Sequence, residues 1–192
     1  MTPAPAPQPD SAPASPTAGP FAQWESLPAG EAASWLEQTF RGPLVTFCYG
    51  YLGRLEDAED AVQEVFCRAL RSGRTPDNLR AWLYKIARNY CLNALRNRNR
   101  RRDAAPLAAQ PEVQAMLTGN LTRLVRGEQR SQLGRLMSRL PEMYQEVLRL
   151  RYGHDLSRAE IAELLDLDES VVKSRLFEGL QRLRRDIRPP GC

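Results

Sequence analysis

The sequence has few of the side chains that build metal sites and catalytic centres. It contains one histidine, His154, and four cysteines without any C-x-x-C spacing. This spacing argues against a structural zinc site. A glycine-rich phosphate loop is also missing, as is any Ser-His-Asp or Cys-His pairing around His154. We therefore expect that the protein is not an enzyme and that it needs no cofactor or metal.

Long apolar stretches are missing as well. No run approaches the roughly 18 apolar residues that span a bilayer, and the N-terminus lacks a charged-then-apolar signal pattern. We expect a cytoplasmic protein that makes no membrane contact by itself. Residues 1–30 begin with a stretch rich in Pro and Ala. Because such a segment buries too little apolar surface to offset the entropy of ordering, we predict a disordered tail.

Positive charge is in modest excess, and charges of both signs are unevenly distributed along the chain. Lys and Arg number 27 against 23 Asp and Glu, which gives a net charge of +4. Positive charge is concentrated at residues 96–102 and 182–188, and negative charge at residues 56–64. This segregation indicates a polyanionic partner for some surfaces and a basic protein partner for another.

One basic helix is predicted over residues 82–102. Apolar residues recur with helical spacing along it, at Leu83, Ile86, Ala87, Tyr90, Cys91, Ala94 and Leu95. Away from this stripe lie Trp82, Lys85, Arg88, Asn89 and Arg96. Cations bind phosphates, amides bond base edges, and an aromatic ring stacks on an unpaired base. A merely solvated basic helix is the alternative. Trp82 falls beside the stripe, and we favour packing in the core over stacking on DNA.

Two helical segments are predicted before the basic helix. Residues 32–52 are helical, with a new helix starting at Gly42-Pro43. Residues 54–70 carry an acidic outer face and a buried stripe that includes Phe66 and Leu70. Residues 71–80 form a loop, because Gly73 and Pro76 break the pattern. Three cysteines lie among apolar residues and should be small core side chains: Cys48, Cys67 and Cys91.

A second helical domain is predicted at residues 131–188, after a flexible linker at residues 103–130 with one short helix near 112–117. Ser157 and Glu160 have the spacing of a capping box at a helix start. The short connection at residues 166–168 then leads to a longer helix, which is the helix-turn-helix pattern. The fold class is therefore all-α, with two small helical domains at 31–102 and 131–188. A helical hairpin that packs on another protein is the alternative for the second domain.

These motifs together resemble a known family. DAEDAVQEVFCRAL (residues 57–70) and WLYKIARNYCLNALR (82–96) are followed by RLPEMYQEVLRLRY (139–152), LSRAEIAELL (156–165) and VVKSRLFEGLQRLR (171–184). In this order they are similar to bacterial RNA polymerase sigma factors of the extracytoplasmic-function (ECF) group. The resemblance implies a sigma region 2 domain and a sigma region 4 domain. It also implies a protein that binds core RNA polymerase, recognises and melts promoter DNA, and directs initiation at a specific regulon.

The resemblance also implies roles for individual residues. Binding to core polymerase falls on the docking set: Asp57, Asp60, Gln63, Glu64 and Phe66. Recognition of the start-proximal promoter element falls on the minus-ten set: Arg74, Asn78, Arg80, Trp82, Lys85, Arg88, Asn89 and Arg96. Recognition of the upstream element falls on the minus-thirty-five set: Ser170, Lys173, Ser174, Arg175, Phe177 and Glu178. The family often has a cognate anti-sigma factor, so such a partner is expected.

The sequence departs from the family at Glu178-Gly179-Leu180, where many relatives continue with a basic residue and an Ala-Arg pair. Glu178 can accept a hydrogen bond from cytosine N4 but repels phosphate, so the upstream recognition sequence need not be the usual one. Gly179 costs about 1 kcal/mol in helix propensity. Two other functions stay open at this point. One is a stand-alone helix-turn-helix regulator that binds duplex operator DNA, and the other is an interaction protein with no DNA role.

Overall fold

The computed structural model describes residues 27–72, 76–101 and 127–187. These residues form seven α-helices: α1 (Ala29–Leu52), α2 (Leu55–Arg71), α3 (Leu79–Arg101), α4 (Gly127–Arg139), α5 (Glu142–Leu148), α6 (Arg158–Leu165) and α7 (Glu169–Ile187). A π-helical turn, π1 (Arg149–Gly153), extends α5. No strand occurs in the described ranges, which confirms the all-α class. Most of the predicted tail and linker, Arg74, and the short helix near 112–117 lie outside the described residues.

The first bundle packs α1, α2 and α3 against one another. The predicted helix start at Gly42-Pro43 is wrong, because α1 continues through Pro43. Five buried apolar residues with helical spacing extend on both sides of the proline: Leu36, Phe40, Leu44, Phe47 and Cys48. Burial of this continuous stripe outweighs the backbone hydrogen bond that proline cannot donate. The helix ends at Gly53, whose φ of 73° is left-handed and whose N–H donates to the Tyr49 carbonyl.

Helix α2 follows the predicted amphipathic pattern except at its C-terminal end. Its buried face consists of Ala58, Ala61, Val62, Val65, Phe66 and Ala69. Leu70 is 37% exposed and Cys67 is exposed, so the predicted core positions of these two residues are wrong. Cys67 shares its face of α2 with Gln63 and Arg71, which are also exposed, and Leu70 is the penultimate residue of the helix. Cys48 and Cys91 are buried as predicted.

The second bundle contains the predicted helix-turn-helix. The Ser157 hydroxyl accepts from the Glu160 N–H, and the Glu160 carboxylate accepts from the Ser157 N–H, so the capping box is confirmed. Helix α6 ends at Asp166, whose φ of 54° is left-handed. Helix α7 begins three residues later and packs across α5 and α6.

The two bundles also contact each other. Helix α3 packs against α6, and the buried apolar residues of both bundles join in one cluster. Part of the face of α3 that the sequence assigns to solvent or DNA, at Lys85 and Arg88, therefore lies against the second bundle. None of the described helices is both long and apolar enough to cross a membrane.

Candidate nucleic-acid and protein interfaces

The docking set lies along α2, but its members differ in accessibility. Asp60 and Gln63 are exposed. Glu64 accepts from Arg68 one turn later on the helix, at 2.7 Å. Phe66 is 6% exposed and packs in the core of the first bundle. The polar members of the set thus form an outward acidic face, while Phe66 supports the helix from inside.

Asp57 is tied to the C-terminal half of α3. The Arg98 guanidinium donates to the Asp57 carboxylate at 2.8 Å and to the carbonyl of Leu52, the last residue of α1, at 3.4 Å. Both side chains of the ion pair are about one-third exposed, at 30% and 35%. Arg98 therefore joins the ends of three helices, and Asp57 contributes to the bundle as well as to its acidic face.

Three cations of the minus-ten set are bound by the second bundle. Arg80 donates to the carbonyl oxygens of His154 (2.6 Å) and Asp155 (3.1 Å). It also lies 3.7 Å from the buried carboxylate of Glu160. These acceptors belong to the turn after π1 and to the first turn of α6. Arg80 is consequently oriented towards the protein rather than towards solvent.

The other two cations continue this pattern along α3. The Lys85 ammonium pairs with the Asp166 carboxylate and donates to the Glu163 carbonyl at 3.2 Å. Arg88 donates to the Glu146 carboxylate at 2.7 Å. Glu146 also accepts from the Tyr51 hydroxyl, so α1, α3 and α5 share one hydrogen-bonded group. The sequence predicts DNA phosphates as the partners of these cations, whereas the acceptors in the structure belong to the same chain.

The remaining described members of the minus-ten set have other environments. Asn89 and Arg96 are exposed. The Asn78 side-chain oxygen accepts from the Ala81 N–H at 3.0 Å, which caps the start of α3. Trp82 is partly buried and packs against the core, in line with the position that we favoured. Asn89 and Arg96 are thus the members whose polar groups face solvent.

His154 lies where the two bundles meet. Its ring contacts Phe47 edge-on at 5.2 Å between centroids and Tyr84 at 5.8 Å. Burial, with smaller effects from the cations Arg80 and Arg149, lowers its pKa to about 4. Burial also raises the pKa of Tyr84 to about 12. His154 is therefore neutral at pH 7 and behaves as an aromatic packing residue.

The minus-thirty-five set lies on α7, and most of it is open. Ser170, Lys173, Ser174 and Phe177 are exposed, with Phe177 at 61%. On the opposite side of the same helix, Val172 and Leu176 are buried. The helix thus presents hydroxyls, a cation and an aromatic ring outward, which suits a major groove.

Glu178 has a partner inside its own bundle. The Tyr144 hydroxyl donates to its carboxylate, and the Arg182 guanidinium lies 4.7 Å from the Tyr144 ring centroid. The hydrogen bond to Glu178 is the main cause of a raised pKa for the Tyr144 phenol. Glu178 thereby links α7 to α5, a role that the sequence pattern did not suggest.

Gly179 lies at the crossing of α7 over α5. A Cβ placed there would lie 3.0 Å from Leu148 Cδ1 and 3.3 Å from Tyr144 Cβ. Leu148 is 1% exposed and lies in the core of the second bundle. The departure from the family at Glu178 and Gly179 therefore coincides with one hydrogen bond and a close helix crossing.

Sequence reasoning missed the residues that join the bundles, namely Glu146, His154 and Asp166. Each is separated from its partner on α1 or α3 by a long stretch of chain, and periodicity within one helix carries no information on such pairs. Tyr84 offers a weak signal, because this large aromatic residue falls outside the predicted stripe yet is 1% exposed. Among the described residues, no group of three or more His, Cys, Asp and Glu could hold a metal ion.

Each of the two bundles matches the model of a known protein family. The family model for Sigma-70 region 2 matches residues 36–101, and the model for Sigma-70 region 4 matches residues 130–183. The chain is 30% identical over 159 residues to the ECF RNA polymerase sigma factor SigW of Bacillus subtilis, covering 78% of this chain and 85% of SigW. It is also 30% identical over 144 residues to the ECF RNA polymerase sigma-E factor of Escherichia coli, covering 69% and 75%.

Solved structures share the fold. CnrH, in complex with the cytosolic domain of CnrY, matches with a TM-score of 0.59 at 21% identity, over 87% of this chain and 94% of CnrH. The sigma factor RpoE of Bartonella quintana, in complex with the anti-sigma factor NepR, matches with a TM-score of 0.55 at 20% identity, over 79% and 94%. The two region matches and the full-length relatives show that the chain belongs to the ECF RNA polymerase sigma factors, which direct transcription initiation.

Proposed function

We propose that this sigma factor recognises a promoter at two elements, with α7 on the upstream duplex and α3 on the opened start-proximal strand. The observation that carries the proposal is the outer face of α7, whose Ser170, Lys173, Ser174 and Phe177 are exposed while its inner face is buried. A helix-turn-helix with such a face fits the major groove. Hydroxyls and Lys173 are suited to bases and phosphates, and Phe177 to a thymine methyl group.

We assign recognition of the start-proximal element to α3 and to the residues just before it. Arg80, Lys85 and Arg88 supply cations, and Asn89 supplies an exposed amide that can bond a base edge. Strand opening costs a few kcal/mol per unstacked step, so a protein that holds the unpaired strand favours melting. Asn78 and Trp82 act mainly by supporting α3, because the first caps it and the second packs on the core.

Core RNA polymerase is the protein partner that we assign to α2. The acidic face of α2, with Asp60 at its centre, favours a basic surface and would accelerate association by electrostatic steering. We also propose a cognate anti-sigma factor, because two structural relatives were solved as complexes with CnrY and with the anti-sigma factor NepR. The protein acts in the cytoplasm, without catalysis of its own.

The test is transcription in vitro with core RNA polymerase on genomic DNA fragments. Lys173→Glu should abolish transcripts that depend on an upstream element, and Asn89→Ala should lower yield from duplex promoters. Both variants should bind core polymerase like the unchanged protein, because neither residue lies on α2. Equal transcript yield from Lys173→Glu would contradict the assignment of α7, and equal yield from Asn89→Ala would remove Asn89 from the site.

A further inference from the structure

We propose that Arg98 is a positioning residue for polymerase docking, which holds Asp57 in place at the start of α2. Arg98 lies in the C-terminal half of α3 and belongs to neither the docking set nor the minus-ten set. Its guanidinium donates to the Asp57 carboxylate at 2.8 Å and to the Leu52 carbonyl at 3.4 Å. We call these two hydrogen bonds the Arg98 bridge. The inference rests on the function proposed for α2, since Asp57 is a member of its docking set.

The Arg98 bridge spans a turn that has conformational freedom of its own. Helix α1 ends at Leu52 and α2 begins at Leu55, so the connection between them is short. It contains Gly53, whose φ of 73° is left-handed and whose backbone tolerates many conformations. Arg98 binds one acceptor on each side of this turn. The bridge therefore limits the direction in which α2 leaves α1.

The first turn of α2 has little packing of its own. Arg54, the N-cap residue, makes no capping hydrogen bond with its side chain. Leu55 is 55% exposed, and the buried face of α2 begins only at Ala58. Helix ends without such contacts fray. Asp57 thus lies just before the part of α2 that core packing holds, and Arg98 supplies a contact that fixes it.

A carboxylate that is already in place binds a partner better than a mobile one. Ordering a side chain and its helix turn during association reduces affinity, and a partner that meets a fixed Asp57 avoids that loss. The hydrogen bond from Arg98 uses one oxygen, Oδ2, and an ionised carboxylate has acceptor sites on both oxygens. The Asp57 side chain is 35% exposed. Asp57 can therefore keep Arg98 and still accept a hydrogen bond from a cation of the polymerase.

Charge alone predicts the opposite effect of removing Arg98, which makes the proposal testable. Arg98 places a positive charge beside the acidic face of α2, so its loss would by charge alone favour a basic partner. Positioning predicts weaker binding instead. Arg98→Ala should weaken binding to core RNA polymerase about threefold, within the range of exposed ion pairs. The loss should appear as faster dissociation, because association is steered by charge and should not slow.

A double-mutant cycle separates positioning from a general role in folding. In the Asp57→Ala background, Arg98→Ala should leave polymerase affinity unchanged, because the carboxylate through which Arg98 acts is already absent. A purely structural role, exerted through the Leu52 carbonyl, would weaken binding equally in both backgrounds and would overturn the proposal. Arg98→Lys should regain part of the affinity, since an ammonium group can still bind Asp57. Affinity is measured by fluorescence anisotropy with the labelled full chain, and rates by stopped-flow mixing.

Arg54→Ala is the matched control. Arg54 lies in the same turn and pairs with Glu56 at 2.8 Å, but both side chains are exposed, at 64% and 80%. The change removes the same charge as Arg98→Ala and should leave polymerase affinity unchanged. Equal weakening by both changes would overturn the assignment to Arg98. Far-ultraviolet circular dichroism should show native helix content in each variant, and Arg98→Lys replaces Arg98→Ala in the cycle if the alanine variant does not fold.

Hydrogen exchange measured by NMR tests the Arg98 bridge without polymerase. The Ala58 amide donates to the Arg54 carbonyl at 3.1 Å, in the first turn of α2. Arg98→Ala should accelerate exchange of this amide about threefold, because the same interaction opposes local opening. The amide of Val65, in the middle of α2, should be unaffected.

Three results would overturn the proposal. Unchanged exchange at Ala58 would show that Arg98 does not hold the start of α2. Tighter polymerase binding by Arg98→Ala would show that charge, rather than position, decides the effect. Failure of the unchanged protein to bind core polymerase would contradict the proposed function and with it the role of Arg98 in docking, whereas faster exchange in Arg98→Ala would still show the bridge.

Discussion

The phenol of Tyr144 on α5 donates a hydrogen bond to the carboxylate of Glu178 on α7, and Arg182 lies against the face of the same ring. Glu178 thus lies on α7, the helix that we propose contacts the upstream element, but its carboxylate is hydrogen-bonded to α5. We predict that Glu178→Ala lowers the melting temperature and leaves the preferred bases of the upstream element unchanged. Transcription from a promoter library with that element randomised measures the preference. A change of preference confined to one base pair would show that Glu178 reads DNA.

Gly179 is required by the crossing of α7 over α5, rather than by backbone conformation. Alanine would add helix propensity of up to about 1 kcal/mol, but its Cβ would press on Leu148 and Tyr144, and overpacking costs about 1–3 kcal/mol. We predict that Gly179→Ala lowers the free energy of unfolding by about 1 kcal/mol, measured by urea denaturation. Gly30→Ala, where a Cβ meets nothing within 4 Å, is the control and should be neutral or stabilising. Stabilisation by both changes would contradict the close crossing.

His154 makes stability depend on pH. Its pKa is about 4 in the folded protein and near 6.5 when unfolded, so the unfolded chain binds more protons between these values. Stability is therefore retained above pH 6.5 and lost as the pH falls towards 4. Between pH 7 and pH 5 we expect a loss of about 2 kcal/mol from this group. Urea denaturation at both pH values should show a correspondingly smaller loss for His154→Phe, which keeps an aromatic ring but cannot titrate. The same loss in both proteins would show that His154 is not its source.

The acidic face of α2 supports a prediction on polymerase binding. Asp60→Arg should weaken binding to core RNA polymerase about fivefold or more. The substitution replaces an exposed acid with a cation, which the basic surface of the polymerase would repel. Glu56→Arg is the matched control, since Glu56 is exposed on the same helix but lies outside the docking set. Affinity is measured by fluorescence anisotropy with labelled sigma factor. Equal weakening by both changes would indicate general charge repulsion rather than a docking site.

Much of the fold follows from short-range patterns in the sequence. The amphipathic stripe predicts α2, and the Ser157-Glu160 spacing predicts the start of α6, because both depend on residues within a few turns. Pro43 shows the limit of local rules, since burial of apolar residues on both sides carries α1 through a residue that normally starts a helix. Leu70 and Cys67 show the same limit, because both are exposed on α2 although Phe66 and Ala69 beside them are buried.

The sequence predicts which residue types form the candidate site, but it does not predict what each side chain contacts. The sequence places cations on α3 and acids on α2, and both are present. It does not indicate that Arg88 meets Glu146 or that Lys85 meets Asp166, because these pairs join helices far apart in the chain. Phe66 illustrates the reverse case, in which a residue assigned to a partner by resemblance lies in the core. Its assignment to polymerase binding stays a prediction that requires movement of α2 or an indirect role.

Transcription initiation in vitro tests the central claim most directly. Purified protein is added to core RNA polymerase on a pool of genomic promoter fragments, with core polymerase alone as the control. We predict new transcripts with defined start sites that require the protein, and the aligned start regions should reveal both promoter elements. Absence of such transcripts, together with tight binding of duplex DNA in the absence of polymerase, would contradict the account.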